Sequence, residues 1–412
     1  MIENSASASA PPRKHLRAAL LAVVLLALLG SVVGIFAWRL EKREIYVVAL
    51  ESSALKDMNA AWQRAAMARP DILPFYGSSE LTRNFGNEPQ RFFASYPTGF
   101  GVSPVGRAGC TSLTLAEKIA AASSGTVPQR KVAISLSPSW FFNPQTHARW
   151  YAGNFSVAQA SALIFHPRLS LELKRDFARR MLDYPDTLEQ ATLLSFAVHR
   201  LAGQGPWDAM LYRVVTPLAR MQSAVAYLGD HCAFAWHILH DHERPHVVRT
   251  PARLDWETIR LAGGGEIPHD PKFHRERAQQ IFFGNRRFAQ VLNESREWGD
   301  LELLLRASRE LHLDPLLLSI PIDYRYYQGI GVARENLDLY RRRLHEIASR
   351  YDVAVIDFAE HVEDPAFFAD HNDHLSARGW LYVDRALDFY YHAANHQRYF
   401  PPVGAGENQV YP

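Results

Sequence analysis

The sequence predicts an α/β fold, in which helices cover a parallel β-sheet, preceded by one transmembrane helix. Three observations lead to this prediction. Short apolar runs alternate with helix-like segments, a 21-residue segment near the N-terminus carries no charge, and a long middle region has helical patterns with few strand signals. The 412 residues suffice for two or three average domains or for one large α/β domain with insertions.

The uncharged segment covers residues 18–38, AALLAVVLLALLGSVVGIFAW. A helix that rises about 1.5 Å per residue crosses a hydrocarbon core of about 30 Å at this length. A cleaved signal peptide is the alternative, but the apolar run is longer than a signal sequence needs, and Trp38-Arg39-Leu40 lacks the small-x-small cleavage pattern. We therefore expect a retained membrane anchor behind a short tail at residues 1–17.

Basic residues flank the anchor on both sides, so the charge bias leaves its orientation open. They are Arg13, Lys14 and Arg17 before it, and Arg39, Lys42 and Arg43 after it. No later segment is both long and apolar enough to span a membrane. We expect one extended domain at residues 45–400 on this single tether, with a tail at 401–412.

Four short apolar or β-branched runs predict the strands of that domain. They lie at residues 72–76, 131–136, 315–320 and 353–358. Between the last two, an amphipathic helix is predicted, with Leu337, Tyr340, Leu344, Ile347 and Tyr351 on one face. Alternating strands and helices indicate a parallel sheet. From about residue 145 to 300 the helical patterns predict a helical insertion into the same domain.

Composition and charge exclude several classes of protein. With 48% hydrophobic and 21% charged residues the chain is expected to fold around a sizeable core. Its 45 basic and 43 acidic residues give a net charge of +2 without a long single-sign run, so nucleic acid is not an expected partner. The two cysteines, Cys110 and Cys232, lack zinc-site spacing. They form either one disulfide or two buried thiols.

The motif Gly77-Ser78-Ser79-Glu80 directly follows the first predicted strand. Ligands of open α/β sheets bind beyond the carboxyl ends of the strands, which makes this position a candidate site. A serine there acts as a nucleophile only if a base, usually histidine, and an orienting acid lie beside it. The alternative is an ordinary turn or helix N-cap.

A second candidate segment, FFADHNDHLSARGW at residues 367–380, follows the last predicted strand. It concentrates Asp370, His371, Asp373 and His374 in five positions and can supply both a base and its orienting acid. A solvated loop that caps a helix is the alternative. A metal half-site is a further one, but no other cluster completes it, and no metal is expected.

An aromatic segment and a histidine-rich segment are further candidates for a functional site. In SLSPSWFFNP, residues 135–144, Trp140 either lines a pocket or anchors a packed corner of the core. Five histidines lie between residues 230 and 246. Although His237 and His240 can share a helix face, their position within the helical insertion favours ordinary surface and core histidines over a metal site.

Taken in chain order, several motifs resemble one family, the DltD proteins of the teichoic-acid D-alanylation system, which are membrane-anchored relatives of SGNH hydrolases. The motifs are PFYGSSEL, VGRAGCTSL at residues 105–113, SLSPSWF, DPLLLSIP and FFADHNDHLSARGW. The resemblance covers roughly half the chain in blocks and leaves the helical insertion largely unmatched. It implies a three-layer α/β/α domain outside the cytoplasmic membrane, periplasmic or extracellular.

The resemblance also implies a function. A membrane-bound O-acyltransferase is the expected partner, with an acyl carrier protein as a further candidate, and the acyl group passes to an envelope polymer without a cofactor. The acceptor is left open among a teichoic acid, a lipopolysaccharide and another glycan. Two alternatives remain: O-acetylation of an exopolysaccharide by a related SGNH protein, and a non-catalytic scaffold for the acyltransferase.

Roles carry over to individual residues of the matching motifs. The Gly-Asp-Ser block of SGNH proteins overlays Gly77-Ser78-Ser79, which makes Ser79 the expected nucleophile and Ser78 the alternative. His374 overlays the base, and the backbone N–H of Gly109 overlays a donor to the oxyanion.

The chain departs from the family at two points. Position 371, three before the base, holds histidine where the family usually has aspartate, so Asp370 and Asp373 both remain candidates for the orienting acid. The sequence SPSWF, with Trp140 as a candidate substrate contact, stands where SGNH proteins have an asparagine. Fewer donors to the oxyanion are therefore expected than in a typical esterase.

Overall fold

The structure of the protein is a computed structural model. It describes residues 14–125, 127, 130–142, 147–189, 191–203, 205–241, 254–261, 284–329, 331–370 and 374–393. Its helices, numbered here in chain order, are α1 Lys14–Val48, α2 Ala54–Met58, α3 Ala60–Met67, α4 Pro89–Ser95, α5 Ser112–Ala122, α6 Ser139–Phe142, α7 His147–Asn154, α8 Val157–Ile164, α9 Leu171–Met181, α10 Thr192–Ala202, α11 Pro206–His240, α12 Trp256–Leu261, α13 Gly284–Glu294, α14 Glu297–Glu310, α15 Tyr324–Gly329, α16 Arg334–Arg350 and α17 Ala377–His392.

The predicted parallel sheet is confirmed. Its strands are β1 Ile72–Gly77, β2 Gly101–Gly106, β3 Lys131–Leu136, β4 Asp314–Ser319 and β5 Ala354–Ile356. They lie in the order β2-β1-β3-β4-β5, and every neighbouring pair is parallel. The four predicted strands agree with β1, β3, β4 and β5, although β5 is shorter than the run from 353 to 358. Because these strands are buried between helices, they are apolar almost throughout.

Strand β2 was not predicted, because its sequence GVSPVG contains a proline and begins and ends with glycine. It pairs with β1 alone and so forms one edge of the sheet, in a register that places Pro104 opposite Phe75. An edge strand tolerates proline, because a backbone N–H that points away from the sheet needs no partner strand. The edge position therefore explains how a segment with proline and glycine, a composition unfavourable for a strand, forms β2.

Helices cover both faces of the sheet, which confirms the three-layer α/β/α prediction. On one face α5, α8, α14 and α16 pack with β3 around buried residues such as Leu115, Leu304 and Leu344. On the other face α4 and α17 pack against β1 and β4, with the Trp380 ring edge-on to Phe75. The predicted amphipathic helix is α16, which buries Leu337, Tyr340, Leu344 and Ile347 and connects β4 to β5.

Between β3 and β4 the described chain forms helices α6 to α14 and no strand. This is the region where sequence patterns predicted a helical insertion. Its longest helix, α11, has 35 residues and packs against α1, α3, α8 and α10. Through α11, this helical region packs against the N-terminal helix α1.

Helix α1 contains the predicted anchor and extends beyond it to Val48. Its segment His15–Val48 has a hydropathy of 2.8 in the most apolar window and is long enough to cross a membrane. All side chains from residue 15 to 29 are exposed, whereas from Gly30 onward one face of the helix packs against the domain. An exposed apolar surface of this kind is typical of a membrane-spanning helix.

The two cysteines are free thiols, so the disulfide alternative is not realised. Cys110 is buried at the start of the segment that leads into α5, and burial raises the pKa of its thiol to about 12. Cys232 is exposed on α11, contrary to the expectation of two buried thiols.

Candidate active site

The first candidate motif lies at the carboxyl end of β1, where the strand turns directly into a 3₁₀ turn at Ser79–Leu81. The turn is possible because Gly77 and its register partner Gly106 lack side chains. A Cβ on Gly106 would lie 2.8 Å from the carbonyl oxygen of Ser78, and one on Gly77 would collide with the side chain of Glu80. The two glycines therefore let the strand ends approach closely, and the turn presents Ser79 at the edge of the sheet.

Ser79 and His374 lie side by side although 295 positions separate them in the chain. The Ser79 Oγ is 3.0 Å from the His374 Nε2, which is hydrogen-bonding distance. Ser79 is half-buried, and His374 is 5% exposed. An imidazole nitrogen in this position can accept the proton of the serine hydroxyl.

A short loop after β5 holds His374 in place. Phe368 and Leu375 form an antiparallel bridge, and the N–H of Ala369 donates to the carbonyl of His374 at 2.8 Å. Within the loop, the Asp370 carboxylate accepts from the His374 Nδ1, with its two oxygens at 2.9 and 2.8 Å. A proton on Nδ1 leaves Nε2 free to accept, so Asp370 selects the ring tautomer that faces Ser79.

Of the two candidate aspartates, the structure brings Asp370 to the histidine. Asp373 and His371 lie outside the described residues. The antiparallel bridge between Phe368 and Leu375 brings Asp370 and His374 together, although they are four positions apart in the chain.

Ser78 has different partners from its neighbour. It is 3% exposed, and its Oγ accepts from the N–H of Gly109 at 3.1 Å and donates to the carbonyl of Arg107 at 3.2 Å. The Ser78 hydroxyl therefore connects β1 to the loop that follows β2, while the Ser79 hydroxyl contacts His374.

Gly109, the candidate donor to an oxyanion, lies in that loop with a φ of +83°. A Cβ in its place would lie 2.8 Å from the ring of Trp150, so both backbone conformation and space require glycine. Its N–H is bound to Ser78 in this structure, and an acyl group at Ser79 would have to compete with that hydrogen bond.

Sequence reasoning missed three residues near the site. The buried Glu80 accepts from the N–H of Ser78 at 2.7 Å, and burial raises the pKa of its carboxyl. Arg83 lies 3.6 Å from Asp370, and the Phe85 ring centroid is 6.0 Å from that of His374. Glu80 belongs to the GSSEL motif and was identifiable from it, whereas Arg83 and Phe85 carry no signal of their own in the sequence.

Trp140 lies in the core, as the packed-corner interpretation expected, and not on a surface open to substrate. It is 3% exposed on α6, within the larger hydrophobic cluster. Its carbonyl is bound by the Nε2 of His147 at 2.6 Å. The neighbouring Phe141 packs on Trp298 with ring centroids 4.2 Å apart, so the aromatic residues of SPSWF fill the larger hydrophobic cluster on one face of the sheet.

His231 and His237 of the 230–246 segment pair with carboxylates of α1 and of the residues that follow it. His231 binds the Glu41 carboxylate at 2.7 Å, and His237 binds that of Glu51 at 2.7 Å. Within the described ranges no group of three His, Cys, Asp or Glu side chains is arranged to hold a metal ion. His242 and His246 lie outside those ranges.

Ser79, His374 and Asp370 are joined by consecutive hydrogen bonds, and such an arrangement is capable of acyl transfer through a serine ester. Comparison with known proteins points in the same direction. The family model described as DltD protein matches residues 49–268 and 269–392, which is more than half of the chain.

Three curated relatives match over most of their length. Protein DltD of Bacillus subtilis (strain 168) is 24% identical over 334 residues, 78% of this chain and 83% of the relative. Protein DltD of Lacticaseibacillus rhamnosus is 24% identical over 388 residues, 89% and 88% of the two chains. Protein DltD of Staphylococcus aureus (strain NCTC 8325 / PS 47) is 22% identical over 334 residues, 76% and 79%.

Proposed function

The chain belongs to the DltD family and is thus a protein of the D-alanylation system, and on that premise we propose that it transfers D-alanyl groups, or a related acyl group, onto a cell-envelope polymer through an ester on Ser79. The observation that carries the proposal is the contact between Ser79 and His374, backed by Asp370. The chain is proposed to act as a serine-dependent O-acyltransferase.

In the first half-reaction, Ser79 Oγ attacks the carbonyl carbon of the incoming acyl donor, and His374 Nε2 takes the hydroxyl proton. Asp370 stabilises the imidazolium that forms. The tetrahedral intermediate collapses when the bond to the leaving group breaks, and His374 returns the proton to that group. The acyl group then remains as an ester on Ser79.

In the second half-reaction, the ester on Ser79 reacts with a hydroxyl of the acceptor polymer, whereas in a hydrolase it would react with water. It gives its proton to His374 and attacks the ester carbonyl, and Ser79 leaves with the proton from His374. Backbone N–H groups near Ser79 and Gly109 are proposed to stabilise the oxyanion in both steps. For Gly109 this requires that its hydrogen bond to Ser78 be exchanged for one to the substrate.

The proposed setting is the outer side of the cytoplasmic membrane, with α1 as a single-pass anchor. A multi-protein D-alanylation system supports a membrane-bound O-acyltransferase as the partner that delivers the acyl group, and an acyl carrier protein as the earlier source. A teichoic acid or a lipopolysaccharide is the proposed acceptor class, because both offer hydroxyl groups outside the membrane.

The test compares Ser79→Ala and Ser78→Ala in a cell that depends on this chain. Ester-linked D-alanine is released from the envelope by mild base and identified by mass spectrometry. We expect loss of the ester in Ser79→Ala and partial retention in Ser78→Ala. Undiminished D-alanine esters in both variants would overturn the proposal, and acetyl in place of D-alanine would favour the O-acetyltransferase alternative.

A serine-directed fluorophosphonate probe separates an enzyme from a scaffold. The purified full-length protein in detergent should be labelled at Ser79, and Ser79→Ala should not be labelled. If the unmodified protein is not labelled, and if Ser79→Ala and Ser78→Ala both keep their envelope esters, the chain acts as a non-catalytic scaffold.

A further inference from the structure

Helix α11 carries a continuous apolar stripe on its exposed side. Its exposed large apolar side chains are Trp207, Met210, Val214, Leu218, Met221, Val225, Trp236 and Leu239. At about 100° per residue these positions, with the exposed Cys232, fall within an arc of about 100° on the helix surface. We call this set the α11 stripe. It extends along nearly the whole 35-residue helix.

The α11 stripe is unusual for a surface in contact with water. Val225 is 72% exposed, Trp207 70% and Val214 69%. Single exposed apolar residues are common on soluble proteins, but a contiguous row of this length marks an interaction surface. The charged residues of the same stretch, such as Arg213 and Arg220, lie off the stripe on other faces of the helix.

The position of the membrane anchor identifies what covers the stripe. Helix α1 packs on α11 inside its uncharged segment, where Leu228 fits against Gly30 and Gly34. A Cβ on Gly34 would lie 3.3 Å from a Leu228 methyl group, which is a tight contact, whereas a Cβ on Gly30 would lie at an ordinary contact distance of 3.4 Å. On the helix surface Leu228 lies at the edge of the stripe. The α11 stripe therefore continues the apolar surface of a helix that crosses the membrane.

We propose that α11 is a membrane-surface helix whose stripe faces lipid, so that the domain is held against the bilayer by α11 as well as by α1. Tryptophan at both ends of the stripe, Trp207 and Trp236, fits the enrichment of this side chain at the membrane boundary. Trp38 marks the same boundary on α1, where Arg39 follows the apolar segment. Two attachments restrict the rotation of the domain about its tether.

Lipid accounts for the stripe better than a protein partner does. The contact between Leu228 and the two glycines places this part of α11 beside the C-terminal half of the apolar segment, close to the membrane boundary, where lipid covers the apolar surface that protein leaves exposed. The inference depends on α1 as the anchor but not on acyl transfer at Ser79.

The test uses single-cysteine variants of the full-length chain in phosphatidylglycerol–phosphatidylethanolamine vesicles. In a Cys232→Ser background the remaining Cys110 is buried and unreactive. Val225→Cys and Met210→Cys place an environment-sensitive fluorophore on the stripe, near to and far from α1. Ala226→Cys is the matched control, because Ala226 is also exposed but lies about 100° around the helix.

Both stripe labels should emit at shorter wavelength than the Ala226 label and be quenched several-fold more strongly by doxyl-labelled lipid. Labels at 210 and 225 that match the control would overturn the proposal, and so would a water-exposed label at 210 alone, since contact would then be confined to the anchor. A wavelength shift that disappears when the protein is diluted in lipid would indicate a second copy of the chain and would likewise overturn it.

Discussion

The N–H of Gly109 donates to the Ser78 Oγ at 3.1 Å, while the next hydroxyl in the chain, that of Ser79, lies 3.0 Å from the His374 Nε2. Two adjacent serines of one motif thus have different surroundings. Ser78 connects the end of β1 to the loop after β2, and Ser79 faces a histidine whose second nitrogen is bound by Asp370.

Replacement of Ser78 by alanine should slow the chemistry without abolishing it. The variant loses the hydroxyl that connects the end of β1 to the loop carrying Gly109, so the Gly109 N–H is held less precisely, and we expect the rate of fluorophosphonate labelling to fall by about 10- to 100-fold. The measurement is the labelling rate of the full-length protein. Loss of labelling in Ser78→Ala with full labelling of Ser79→Ala would assign the nucleophile to Ser78 instead.

Asp370→Asn should lower the labelling rate by about 10²- to 10⁴-fold, because an amide neither selects the His374 tautomer nor stabilises the imidazolium. Asp338→Asn is the control, since Asp338 is a half-exposed residue that pairs with Arg341 at 3.5 Å on the surface of the described chain. Asp373→Asn completes the comparison. If it loses the activity that Asp370→Asn keeps, Asp373 is the orienting acid.

Glu80 is expected to support the serine turn through the hydrogen bond that its carboxyl accepts from Ser78 N–H. Glu80→Ala leaves that N–H without its partner in a buried position and should lower the free energy of unfolding by about 1–3 kcal/mol. Glu80→Gln keeps an acceptor and should cost less. Urea denaturation in detergent measures both, and equal losses would show that the hydrogen bond contributes nothing measurable.

Gly109→Ala should be strongly destabilising for two independent reasons. A φ of +83° costs an L-residue about 1–2 kcal/mol, and the new methyl group would press on the Trp150 ring. Gly153→Ala on α7 provides the opposite control, because no atom of the described residues lies within 4 Å of a Cβ placed there, and alanine favours a helix by up to about 1 kcal/mol. Thermal unfolding measures both variants, and only Gly109→Ala should have a lower Tm than the unmodified protein.

The pH dependence of stability should include a contribution from Glu117. Burial raises the pKa of this carboxyl from 4.5 to about 8, and its Oε1 accepts from the Tyr151 hydroxyl at 2.6 Å. The folded state thus binds a proton that the unfolded state releases near its ordinary pKa. This stabilisation is complete below about pH 4.5 and is lost as the pH rises to about 8, by at most about 1.4 kcal/mol per pH unit.

Glu117→Gln removes the titration, so the free energy of unfolding of the variant relative to the unmodified protein should increase from pH 5 to pH 8. Urea denaturation at the two pH values measures the difference. Glu335→Gln, at an exposed position on α16, should show no such change. A parallel pH profile for Glu117→Gln and the unmodified protein would contradict the prediction.

Much of the fold was predictable because its signals are local. A short continuous apolar run such as ILPFY is typical of a strand that is buried on both faces by helices. The spacing of Leu337, Tyr340 and Leu344 is that of one face of a helix. Strand β2 escaped prediction because Pro104 is tolerated only at the edge of a sheet, and the strand order is not written in the local pattern.

The sequence by itself determined that the chain has a membrane-length apolar helix, a parallel sheet, and polar motifs at the ends of its first and last strands. Only the tertiary structure decided that Ser79, and not Ser78, lies beside His374, and that Asp370 contacts the ring. It also decided that α11 turns an apolar stripe outward beside α1. Periodicity specifies which residues are buried, whereas the partner of a side chain depends on turns and loops that bring distant segments together.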